Sequence, residues 1–87
     1  NNYPFDEYVE EGYHIRTFSK DVDDMELVWH RDREDRVVES VDETDWMIQI
    51  DNEIPKVLSE KTFIPKGIYH RVIKGTDDLT VRVKKLV

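Results

Sequence analysis

Apolar and polar positions along the chain trade places every few residues and seldom keep a helical period. "YHIRTFS" sets Tyr13, Ile15 and Thr17 on one face against His14, Arg16 and Phe18 on the other, the period-two pattern of a strand. "MELVWH" does the same, with Met25, Leu27 and Trp29 opposing Glu26, Val28 and His30, and predicts a second strand over 25–30. "RVVESV", "WMIQID", "TFIP", "YHRVIK" and "LTVRVKKLV" continue the series. Between them lie turn clusters: "KDVDD", "DETD", Pro65-Lys66-Gly67 and Gly75-Thr76-Asp77-Asp78. "RDREDR" reads as a solvated loop, and "NEIPKVLSEK" as a turn or edge segment around Pro55.

No stretch of a dozen residues carries a helical stripe. Short strand-like runs divided by turn signals predict an all-β barrel or sandwich. The acidic opening "NNYPFDEYVEEG" reads as an arm or short helical turn over 1–12 that docks on the domain. No repeat or linker divides the chain, so residues 1–87 form one domain, with the motif-bearing core over 25–83.

At 87 residues the core is thin; a domain of this size buries roughly 60–65% of the surface its unfolded chain exposes. Cysteine is absent, which excludes disulfides and thiolate metal sites and is compatible with a reducing compartment. Net charge is −7, from 20 acidic and 13 basic residues. Nucleic acid and anionic membranes both call for a basic face, so neither is an expected partner. No apolar run approaches a membrane span, and no basic start precedes an apolar stretch. A cytoplasmic location is the expectation.

Three residues suggest chemistry: His30, Asp32 and His70. His30 and Asp32 are two apart, so on a continued strand they share a face. His70 follows a turn that Pro65 and Gly67 define sharply, by a fixed φ and a permitted positive φ. Two imidazoles and one carboxylate on one side of a barrel would form a two-histidine-one-carboxylate set with open positions. That set suits Fe(II), with Mn(II), Ni(II) or Zn(II) as other occupants. Both rings must be neutral to coordinate, so binding weakens below about pH 6. The ordinary alternative is a pair of surface or satisfied core histidines. His14 has no partner pattern and is read as structural or exposed. Trp29 and Trp46 are read as core rather than as a ligand platform.

"FIPKGIYHRVIKG" resembles the second motif of the cupins, P-x-G-x-x-H, with Pro65, Gly67 and His70 in its places. Ser59-Glu60 stands where that pattern has Gly-Asp. "HRDREDR" is similar to the first cupin motif, with His30 as first histidine, Asp32 at the second and Arg36 at the glutamate. Glu43 lies near the usual turn glycine. The resemblance implies a double-stranded antiparallel β-helix, a small jelly-roll barrel. It also implies a divalent metal inside, held by His30, Asp32 and His70.

Arg36 cannot ligate a metal and stays charged. It is expected either to point out of the barrel or pair with Asp32, leaving the site empty, or to lie beside the metal site and bind the carboxylate of an anionic ligand. Arg36 and Tyr69 are the ligand-contacting candidates. Whether the protein is an enzyme stays open. The alternatives are a metal-free small-ligand module and a structural homodimer that pairs through Met25, Leu27 and Trp29. The H-x-D…H pattern also resembles the iron site of 2-oxoglutarate-dependent oxygenases, with Arg82 as the basic residue. If the metal reading holds, the imidazole nitrogens of His30 and His70 converge within roughly 3–4.5 Å.

Overall fold

The computed structural model describes residues 5–23 and 27–86. It is all-β: no helix occurs among the described residues. Eight strands follow in order: β1 (Asp6–Glu10), β2 (Tyr13–Phe18), β3 (Asp35–Ser40), β4 (Met47–Ile50), β5 (Lys56–Val57), β6 (Thr62–Ile64), β7 (His70–Ile73) and β8 (Leu79–Leu86). Every strand pairing is antiparallel. One sheet runs β1-β2-β8-β3-β6 and the other β5-β4-β7. The two make a jelly-roll sandwich of the kind the alternation and the motif resemblance predict.

β8 is the spine of the larger sheet, paired to β2 on one side and β3 on the other. Its sequence explains why: Leu79, Val81 and Val83 are buried at alternate positions while Thr80 and Arg82 face outward. Phe18, Val38 and Ile64 from the neighbouring strands and Ile48 and Ile50 from the opposite sheet close over them. Trp46 is fully buried, as expected, and its indole N–H donates to the Asp77 carbonyl. Leu58 ties the sheets together: its amide donates to Trp46 O and its carbonyl accepts from Ser40, both at 2.9 Å.

Two expectations change. The segment expected to be an arm or helical turn contains a strand: β1 forms a hairpin with β2, with Glu10 opposite Tyr13. The two linking residues, Glu11 and Gly12, hold φ of 52° and 83°, the type I′ geometry that matches strand twist. Asp6, Glu7 and Glu10 put charge along this edge strand, which discourages pairing with other chains.

Of the strand expected over 25–30, the described residues 27–30 form none beyond an isolated bridge at His30. Met25 lies outside the described residues, as does Glu26, and Leu27 to Trp29 are irregular. Leu27 and Val28 both reach the cavity although adjacent in sequence, which a strand cannot achieve. Trp29, expected in the core, is 40% exposed with the Arg71 guanidinium 5.0 Å from its ring.

Candidate metal centre

The turn after β6 organises the site. Gly67, at φ 76°, donates its amide to Asp32 O at 2.8 Å, and the Lys66 amide donates to Asp35 Oδ1 at 2.8 Å. One tight turn therefore anchors the loop that carries Asp32 as well as aiming His70. His30 and His70 then exchange both backbone hydrogen bonds, His30 N to His70 O at 2.9 Å and the reverse at 2.8 Å. Residues directly opposite in an antiparallel pair project to the same face. The ring centroids lie 4.3 Å apart at 62°.

Imidazole chemistry sets which nitrogens face inward. His30 Nδ1 lies 3.0 Å from Val28 O, and His70 Nδ1 lies 3.0 Å from Ile68 O. A carbonyl only accepts, so each Nδ1 carries a proton, and in the neutral ring Nε2 keeps its lone pair. The same second-sphere arrangement orients histidines in metal sites generally. His70 Nε2 then faces Asp32 Oδ2 at 3.3 Å, an acceptor against an acceptor.

Asp32 Oδ2 is buried without a hydrogen-bond partner, an expensive state for a carboxylate oxygen unless a cation or proton lies between. Burial first, aided by His30 and Arg36, pushes the His70 imidazole below its ordinary value, against the opposing pull of the Ile68 hydrogen bond and Asp32. A proton is thus the disfavoured way to fill the gap. One ligand atom from each of His30, Asp32 and His70 lies within 4.8 Å of the others. The three residues could hold a divalent metal, and this 4.8 Å bound is wider than the roughly 3–4.5 Å expected between the two imidazole nitrogens.

Arg36 turns inward and pairs with Asp32, yet it leaves Oδ2 free. Its Nη1 lies 3.4 Å from Asp32 Oδ1, and its Nε donates to Glu34 Oε2 at 2.5 Å. Arg36 thus holds one oxygen of the ligand carboxylate while the other faces the histidines. Tyr69 is not brought to this site: it is 44% exposed, with Arg31 5.3 Å from its ring. His14 is half-buried on β2 and pairs with Glu7 at 3.1 Å. Arg82 sits on the outer side of β8 near Glu39, at 3.4 Å, away from the candidate centre's cavity.

His30, Asp32 and His70 lie in the wall of a cavity of about 500 Å³ within the sandwich. Much of its lining is apolar, from Phe18, Ile48 and Val72 among others. Arg16 and Lys85 also line it, and neither stood out in the sequence. The signal was present: Lys85 has the same parity as buried Leu79, Val81 and Val83.

No family model matches the sequence, and no curated protein matches it. Solved structures do. A cupin domain protein from Bordetella pertussis superposes with a TM-score of 0.62 at 15% identity, over 95% of this chain and 92% of that one. A cupin-2 domain protein from Shewanella frigidimarina gives 0.61 at 16%, over 99% and 83%. A DMSP lyase gives 0.69 at 16%, over 82% of this chain and 35% of that one. The chain has a cupin-like jelly-roll fold, and His30, Asp32 and His70 form a group that could hold a metal ion.

Proposed function

We propose that this cupin-like protein binds one divalent first-row transition metal through His30 Nε2, His70 Nε2 and Asp32 Oδ2. The observation that carries the reading is Asp32 Oδ2, buried without a hydrogen-bond partner and 3.3 Å from an imidazole nitrogen that has no proton to offer. Two imidazoles with one carboxylate, and no thiolate, favour Fe(II), Mn(II), Ni(II) or Zn(II) over soft ions. A bound ion would supply Lewis acidity at the cavity wall. Around it, His30 and His70 are fixed by the Val28 and Ile68 carbonyls, Arg36 orients Asp32, and the apolar walls limit water.

Metal analysis of protein purified without a His tag tests this directly. Uptake of one equivalent by wild type, lost in His70→Ala, is the expected result. No uptake of any of the four ions on titration would overturn it.

A further inference from the structure

The cavity of this acidic chain gathers positive charge. Arg16, Arg36 and Lys85 line it, in a protein of net charge −7. Two of these cations are answered: Arg16 Nε lies 2.8 Å from Glu7 Oε2, and Arg36 is shared by Asp32 and Glu34. Lys85 has no ion pair or hydrogen bond among the described residues. It stands directly opposite Arg36 across the β3–β8 ladder, so the two side chains share the inner face.

Counting charge there gives three cations against the three carboxylates Glu7, Asp32 and Glu34. The site is neutral as it stands, and a divalent ion leaves it with two uncompensated positive charges. Arg36 Nη1 lies 3.4 Å from the Asp32 carboxylate, so an anion bound at the metal would lie close to the guanidinium. Its remaining N–H groups and the Lys85 ammonium are the donors available to a second anionic group. A cavity of about 500 Å³ is in the range of small-molecule sites.

We propose that the ligand of this cavity is a small dicarboxylate, with one carboxylate on the metal and the other held by Lys85 and Arg36. The proposal rests on the metal reading above and adds the ligand class. It implies an order: the net negative charge of the chain attracts the cation first, and the dianion follows only once the metal is present.

Equilibrium dialysis of radiolabelled succinate tests it, against metal-free wild type, Zn(II)-loaded wild type and Zn(II)-loaded Lys85→Met. Methionine keeps most of the aliphatic stem, and Zn(II) stoichiometry and melting temperature establish that the variant is folded and loaded. Succinate is expected to bind loaded wild type and not the metal-free protein. Binding should weaken about ten- to a hundredfold in Lys85→Met, as loss of a charged hydrogen bond predicts. Acetate should bind loaded wild type at least about tenfold more weakly and be indifferent to Lys85.

If Zn(II) binds but succinate does not, or binds Lys85→Met equally well, the dicarboxylate is overturned and the metal reading stands. Equal binding of succinate to metal-free protein overturns it as well. If Zn(II) itself fails to bind, both readings fall together. Should Lys85→Met not fold, the comparison of succinate with acetate on wild type decides.

Discussion

The two oxygens of Asp32 have different neighbours, and a substitution can separate them. Asp32→Asn keeps an oxygen for Arg36 and the shape of the side chain, but removes the charge that faces His70. It is expected to lower metal affinity by at least about a hundredfold with little change in the metal-free melting temperature. His14→Gln, altering a histidine paired to Glu7 on β2, should leave metal affinity unchanged. Competition with a metal indicator measures both; equal affinity in Asp32→Asn and wild type would remove Asp32 from the site.

His70 also gives the metal-free protein a pH signature. Its folded value lies below the ordinary 6.5, chiefly through burial. The unfolded chain therefore takes up this proton first as pH falls. The stability associated with the neutral buried ring is fully present above pH 6.5 and is lost as pH drops through the folded value. The urea midpoint of wild type should fall more than that of His70→Gln between about pH 7.5 and 5.5. An identical fall in the two proteins would refute this assignment.

At the level of elements, the turns decide more than the strands do. Gly75 precedes β8 where the chain crosses the Asp45–Trp46 corner. A Cβ there would lie 2.2 Å from Asp45 Oδ1 and 2.8 Å from the Trp46 backbone nitrogen. Asp45 cannot simply swing aside, because it accepts from the Thr76 amide at 3.0 Å and the Thr76 hydroxyl at 2.7 Å. Gly75→Ala is expected to cost roughly 1–3 kcal/mol, as overpacking does, readable as a lowered denaturant midpoint; an unchanged midpoint would show that the corner yields.

This corner also marks where the sequence could be read and where it could not. Strands β4 and β8 were legible because one face of each is buried, so alternation tracks burial. The hairpin at Glu11–Gly12 was not, because its turn lacks the Asn-Gly or Asp-Gly pair that usually signals type I′. "MELVWH" misled for the opposite reason. Its alternation is local, while its place in the fold is set by one bridge from His30 to His70 and by cavity contacts of Leu27 and Val28. The clustering of His30, Asp32 and His70 was nonetheless readable, because His70 came with its turn and a backbone bridge to His30 replaced the missing strand. Lys85 and Arg16 did not stand out: Lys85 shares the parity of buried Leu79, Val81 and Val83, but only the assembled sandwich brings these two ordinary strand cations to a shared interior.

For the whole molecule, a small core and an internal metal site imply coupled stability. A domain of 87 residues has a net stability of only about 4–13 kcal/mol by typical per-residue values. The three ligands come from separate parts of the chain: the loop before β3 supplies His30 and Asp32, and β7 supplies His70. The unfolded chain does not hold them together, so a metal favours the folded state almost exclusively. At a free metal concentration a hundred times the Kd, the gain is about 2.7 kcal/mol. For a domain this small that corresponds to a rise in Tm of roughly 10–20 °C. The rise should disappear in Asp32→Asn and in His70→Ala, even though the latter starts from a lower Tm. Calorimetry with and without Zn(II) measures it. A shift that persists in both variants would mean that the ion acts on the acidic surface rather than between the two histidines.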